Sequence, residues 1–273
     1  MLEFVPGSGP RGRIVHEDLD AFVSGKGASL RAPSGPRYEK REGVEDIKII
    51  GLRRKIAQQM QEAKRRIPHF AYVEELDVSE LEDLRAHLNA NKSAQQPKLT
   101  LLPFLMRAII RVLPEFPLVN SRFDDDAGVV HRHDGVHMGI ATQTPQGLVV
   151  PVVRHAETLD LWGSAAEIIR LAEASRGGKA TREELTGSTM TITSLGPLGG
   201  IASTPVINYP EVAIIGVNKI AERPVVREGA ITIRKMMNLS SSFDHRIVDG
   251  WDAANFIQRV KALLEHPALM FME

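Results

Sequence analysis

Apolar positions recur along the chain with two periods. Between 52 and 67, Leu52, Ile56, Met60 and Ile67 return at roughly helical spacing, and Pro68 closes the pattern. Residues 70–78 read as a strand, and Ser79 with Glu82 forms a capping box that opens a helix to about Asn91. Residues 100–113 are apolar on most sides, which predicts a buried helix. A hairpin is then expected from 129–132 and 136–142, turning at Asp134-Gly135, followed by a turn at 144–147 into an apolar run to Val153. Residues 159–176 form an amphipathic helix stopped by Gly177-Gly178, and Thr181 with Glu184 caps a short helix.

The last third alternates between strands and glycine loops. Residues 188–194 (Ser-Thr-Met-Thr-Ile-Thr-Ser) read as a strand that breaks at 195–200, and 212–217 as a buried strand. Residues 223–227 and 231–234, joined at Glu228-Gly229, predict a second hairpin. A strand at 235–239, a serine-rich turn and a helix over 251–264 follow. The end, Leu269-Met270-Phe271-Met272, is apolar enough to require a packing partner, and another subunit is the candidate.

Composition narrows the class. The 273 residues are 43% hydrophobic and 25% charged, ordinary for a globular protein. Lys plus Arg equals Asp plus Glu at 34 each, which argues against a nucleic-acid or polybasic membrane partner. With no cysteine, disulfides, thiolate metal sites and a Cys nucleophile are excluded, so any thiol in the chemistry comes from a substrate. No run of about 18 apolar residues predicts a membrane helix and the N-terminus has no basic-then-apolar signal, so a cytoplasmic location is expected. Residues 27–46 have the Gly, Ser, Pro and charge content of a linker, and the main folded domain is expected over 47–273.

Three patterns invite chemistry. Gly7-Ser8-Gly9-Pro10-Arg11-Gly12 is formally a dinucleotide motif, but no strand precedes it and no βαβ unit surrounds it, so a tight loop before a short helix at 17–22 is the better reading. His131, His133 and His137 could hold zinc, yet His137 lies beyond the expected turn, and a hairpin with exposed histidines is preferred. His245 sits on a strand-to-helix turn with Asp249-Gly250 after it. Imidazole titrates near 6.5, which suits acid–base work at neutral pH; Asp249 has the simpler option of capping the next helix. Arg53, Arg54 and Lys55 form a basic first turn, either a solvated face or a phosphate contact.

The run Asp244-His245-Arg246-Ile247-Val248-Asp249-Gly250 resembles the active-site signature of the dihydrolipoamide acyltransferases, the cores of 2-oxo acid dehydrogenase complexes. Pro68-His69-Phe70 and Asn208-x-Pro210-Glu211 extend that resemblance. It implies a chloramphenicol-acetyltransferase-like α/β (α+β) fold, a two-layer sandwich of mixed β-sheet flanked by helices. It implies acyl transfer between a dihydrolipoyl-lysine thiol and coenzyme A, with the lipoyl group on a separate domain that this chain does not contain and no metal. His245 is then the base, Thr193 the oxyanion donor, and Asp249 an architectural residue that caps the helix and pairs with Arg246 or Arg54. Arg54, Lys55 and Ser242 are the implied coenzyme A contacts. The family pairs the histidine of one subunit with the hydroxyl of the next in a homotrimer, and trimers build a 24-mer or 60-mer core. Residues 1–26 resemble a truncated peripheral subunit-binding domain, which in the full-length form docks dehydrogenase and dihydrolipoamide dehydrogenase subunits. Residues 51–57, 193–200 and 235–243 look most like the bacterial branched-chain type, such as isobutyryl transfer. An acetyl or succinyl version, or a chloramphenicol-type acetyltransferase, are the alternatives.

Overall fold

The computed structural model describes residues 5–25 and 41–272. The chain divides into two compact units, Met1–Lys48 and Ile49–Glu273. Most of the expected linker falls outside the described residues; 41–46 are exposed and irregular. In the first unit the glycine run makes the tight loop expected, and α1 spans His16–Val23. Asp18 accepts from the backbone of Ser8 at 2.8 Å and Val15 at 3.0 Å, which holds its carboxyl below the usual range.

In the second unit the elements are α2 (Gly51–Arg66), β1 (His69–Asp77), α3 (Ser79–Asn91), α4 (Leu101–Val112), β2 (Ser121–Asp124), β3 (Val129–Arg132), β4 (Met138–Ile140), β5 (Thr142–Thr144), β6 (Gly147–Val149) and β7 (Val152–Val153). They continue with α5 (Leu161–Arg176), β8 (Met190–Ser194), β9 (Ala213–Val217), β10 (Ala221–Arg227), β11 (Ala230–Asp244) and α6 (Gly250–Glu265). The main sheet runs β1-β11-β9-β8-β4-β7, with β10 also on β11; β8 is parallel to β4 and β9, the other pairs antiparallel. This is the mixed α/β architecture expected. No helix among the described residues is long and apolar enough to cross a membrane.

Strand alternation gives the sheet two chemically distinct faces. Met190, Ile192, Ala213, Ile215, Leu239 and Phe243 point one way into the core, joined there by Phe104, Ile109, Leu171, Phe256 and Val260 of α4, α5 and α6. Phe243 and Phe256 meet edge to face at 6.3 Å. The opposite face carries Thr191, Thr193, Gly216, Ser240 and Ser242 in register across β8, β9 and β11. It is covered in part by a smaller cluster of Ile67, Ile207 and Ile214.

Three expectations change. The stretch 129–132 pairs with β2 rather than with 136–142. The winning turn is 125–128: Asp124 accepts from the backbone of Asp126 and Ala127, and Gly128 takes φ +67°. The chain at 133–137 instead crosses to the main sheet, tied by the Asn120 amide to the carbonyls of His133 and Gly135. Ser79 lies inside α3 rather than capping it; Asp77 accepts from its backbone, and its own hydroxyl accepts from Lys235. The serines 240–242 belong to the fifteen-residue β11, because β1 and β9 pair with them on both sides. Of the apolar tail, Met270 is buried and Leu269, Phe271 and Met272 are exposed, as a segment that needs a packing partner would be. The β10–β11 hairpin turns at Glu228-Gly229 as expected, with φ +53° and +80°.

Candidate active site

His245 follows β11 directly, on a turn locked from both sides. Phe243 and Val248 are buried in the core and anchor it. The backbone of Ile247 and Val248 donates to the Asp244 carbonyl at 3.0 and 2.9 Å. The Asp244 carboxylate, 1% exposed, accepts from the backbone of Arg246 and twice from its guanidinium. Arg246 also reaches Asp125 and lies over the Phe123 ring, and these acids raise its pKa further. The His245 backbone donates to Pro68 at 3.2 Å, and its ring rests on Phe70 at 4.4 Å. The imidazole is exposed, presented on a rigid support.

Asp249 occupies the position before α6, where its carbonyl accepts from Ala253, but its carboxylate makes no capping bond. Arg246 does not pair with it, because the nearly buried Asp244 and Asp125 hold that guanidinium. Arg54 forms no ion pair with it either, among the described residues. Thus Asp249 is exposed and uncommitted, which corrects both parts of its expected role.

Thr193 is half-buried on the polar face, opposite Gly216, which in turn pairs with Ser240. Ser194 points away, and its hydroxyl accepts from Gly196 to open the exposed loop of Leu195, Leu198 and Ile201. Within one chain Thr193 and His245 stay apart: five residues along the sheet and two strands across, about 17 Å and about 10 Å by strand geometry. Arg54 and Lys55 are exposed on α2, whereas Ser242 is 2% exposed in mid-sheet. His131 and His133 sit on the β2–β3 hairpin and by the turn after it. His137 instead meets His155, ring to ring at 4.6 Å. Among the described residues no three such groups gather as a metal site.

Two polar networks on this face went unassigned in the sequence. Ser240 donates to Asn218 at 2.7 Å and accepts from the backbone of Ser203 at 3.0 Å. A side chain at Gly216 would strike the Ser240 carbonyl at 2.7 Å, so only glycine lets this loop lie down. Glu211, 1% exposed, accepts from Ser188, from Thr191 at 2.7 Å and from Asn208 at 2.7 Å; burial pushes its carboxyl up to about 7. Asn208 in turn accepts from Gln59 of α2. His69 accepts from Ile207 at 3.0 Å through Nε2 and donates through Nδ1 to Ile67 at 2.9 Å. Burial holds that imidazole below its usual range. The available signal was Glu211 itself, an acid directly before a run of buried apolar residues.

A cavity of about 890 Å³ near the C-terminal turn, lined by Leu84, Trp162, Leu269 and Phe271, contains none of these groups. The candidate groups stand on the sheet's polar face and on the turn after β11: a half-buried strand hydroxyl and an exposed imidazole.

The family described as 2-oxoacid dehydrogenases acyltransferase (catalytic domain) matches residues 41–272. The lipoamide acyltransferase component of branched-chain alpha-keto acid dehydrogenase complex from Pseudomonas aeruginosa is 63% identical over 273 residues. Its counterpart in Pseudomonas putida is 60% identical. Each match covers the whole of this chain and 64% of the relative's length. Among solved structures, the Azotobacter vinelandii dihydrolipoamide acetyltransferase superposes with a TM-score of 0.80 at 36% identity, over 84% of this chain and 95% of that one. In that protein a serine, a histidine 52 positions later and an asparagine four beyond it were studied for their roles in the catalytic mechanism. The cubic core of the pyruvate dehydrogenase multienzyme complex gives a TM-score of 0.81 at 36% identity, covering 87% and 98%.

Proposed function

The chain belongs to the 2-oxoacid dehydrogenase acyltransferase family, and from that premise we propose that it moves a branched-chain acyl group, such as isobutyryl, between dihydrolipoyl-lysine and coenzyme A. It does so as the oligomeric core of a branched-chain 2-oxo acid dehydrogenase complex. The observation that carries the reading is a spacing. Thr193, His245 and Asp249 fall at the same separations as the serine, histidine and asparagine of the Azotobacter protein. Two of them sit on rigid supports built for presentation, and the identity to the Pseudomonas branched-chain components supports the acyl class.

A thiol with a typical pKa of about 8.5 is mostly protonated at pH 7 and needs a base as it attacks a thioester. His245 takes that proton and returns it to the leaving sulfur. The tetrahedral oxyanion is stabilised by the Thr193 hydroxyl. Since one chain holds these groups far apart, the hydroxyl and imidazole of a working site come from two copies. This favours a trimer, and the likeness to a cubic core supports a 24-mer built from trimers. Asp249, at the asparagine's spacing, is exposed beside His245 and is available to substrate or to a second copy. Arg54, Lys55 and Ser242 are proposed contacts for coenzyme A. Residues 1–26 are proposed as a subunit-binding fragment, the lipoyl group arrives on a separate domain, and the location is cytoplasmic.

The test is transfer from isobutyryl-, acetyl- and succinyl-coenzyme A to free dihydrolipoamide by the purified chain, beside His245→Ala. Isobutyryl transfer is expected to be fastest. The variant is expected to lose about 10²–10⁴-fold in rate while light scattering shows the same assembly. An undiminished rate in the variant overturns the assignment of the base.

A further inference from the structure

We propose that the β2–β3 hairpin and the residue just beyond it carry a second ligand site, one that takes a phosphate group between Arg122, His131 and His133. These residues lie outside those assigned to acyl transfer. Arg122 stands directly opposite His131 in the hairpin, and His133 follows two residues on. By strand alternation the three basic side chains share one face. They line a single cavity of about 420 Å³ with Phe123, Tyr209 and Asp124.

Two observations show that nitrogens of this cluster lack a hydrogen-bond partner. Like charges set directly opposite each other weaken a pair of strands unless something neutralises them. Here Arg122 Nε and His133 Nε2 are both buried without a hydrogen-bond partner. The nearby acids are engaged elsewhere. Asp125 is held by Arg246, and Asp126 by Arg66 of α2. Asp124 accepts from its own turn, and Asp134 lines a different cavity with Arg132 and Glu157. Glu211, whose backbone bridges that of Arg122, gives its oxygens to Ser188, Thr191 and Asn208 and feels the Arg122 charge without forming an ion pair with it. Among the described residues no carboxylate forms an ion pair with Arg122. Its charge and that of His131 help hold the His133 imidazole below its usual range, after burial, which is the largest cause.

The donor set selects the ligand class. The Arg122 guanidinium is the fixed positive charge lining the cavity, and the ring nitrogens of His131 and His133 stand beside it. The guanidinium fork matches two phosphate oxygens, and the imidazoles can donate to the third. Phe123 and Tyr209 wall the cavity with aromatic surface.

Isothermal titration calorimetry on the assembled full chain tests this, with inorganic phosphate as ligand and acetate as the monoanion control. Saturable phosphate binding is expected at pH 7.5, with acetate binding much more weakly. Arg122→Gln is expected to weaken it at least tenfold with acyl transfer unchanged. His131→Gln, at an exposed position, is expected to weaken it as well. A second titration with coenzyme A separates the sources: competition with phosphate assigns the phosphate to coenzyme A, and independent binding assigns it to a free phosphate or another phosphomonoester. Absence of saturable phosphate binding, or equal binding by the parent and both variants, overturns the proposal.

Discussion

The two faces of the main sheet are built from the same strands and divide the work between them. On one, Met190, Ile192, Ile215, Leu239 and Phe243 are buried against helices and hold the sheet rigid. On the other, Thr191, Thr193, Gly216, Ser240 and Ser242 offer hydroxyls and a bare backbone, with Thr191 and Ser240 hydrogen-bonded to Glu211, Ser203 and Asn218. Moving one position along β8 crosses from the apolar face to the polar one. The difference teaches that the apolar face fixes where the polar face's groups stand, so substitutions on the two faces should fail in different ways.

The largest loss of stability belongs to the apolar face. Phe243→Ala removes a fully buried ring that meets Phe256 and anchors the turn carrying His245. Unfolding in urea is expected to show a loss of about 3–5 kcal/mol. A loss below about 1 kcal/mol would remove the distinction between the faces.

Glu211 on the polar face should respond to pH instead. Its folded carboxyl titrates at about 7 against an ordinary 4.5. The folded state therefore binds more protons than the unfolded one between those values. This group's contribution to stability is fully present below about pH 4.5 and is lost as pH rises through about 7. The span amounts to on the order of 3 kcal/mol. Glu211→Gln cannot titrate, so the stability difference between parent and variant should slope across that window. A flat difference would show that Glu211 ionises in its burial site without cost.

What could be read from the sequence follows from how locally each feature is encoded. The β10–β11 hairpin and the Thr181–Glu184 cap are closed by neighbours in sequence, and both form as read: Thr181 and Glu184 bond each other's backbone at 2.9 and 3.2 Å. The turn carrying His245 was legible because most of its ties, from Phe243 to Val248, lie within one contiguous stretch. The hairpin at β3 was misread because two turn signals compete, and the Asp124 side chain decides for the earlier one. Asp249 was misread because the preference of Arg246 for Asp244 depends on how deeply Asp244 is buried. Glu211 was hidden because its partners Ser188 and Thr191 come from another strand and the approach to it. Burial of an acid is a property of the assembled face, not of its own stretch.

The smallest expected change in stability is at Thr193, and it sharpens the comparison most. Its side chain shares the polar face with Thr191, yet Thr191 is spent on Glu211 while the Thr193 hydroxyl has no hydrogen bond within the chain, among the described residues. A half-buried hydroxyl with no partner contributes little to the fold, so Thr193→Ala should shift unfolding by no more than about 0.5 kcal/mol. If that hydroxyl waits for an oxyanion, acyl transfer should fall by about 10²–10³-fold with the Michaelis constant for dihydrolipoamide little changed, because the bond forms only in the transition state. Steady-state kinetics beside urea unfolding separates the outcomes. A large loss of stability with a proportionate loss of rate would make Thr193 a structural residue like Thr191, and the division between neighbouring hydroxyls on one strand would then be wrong.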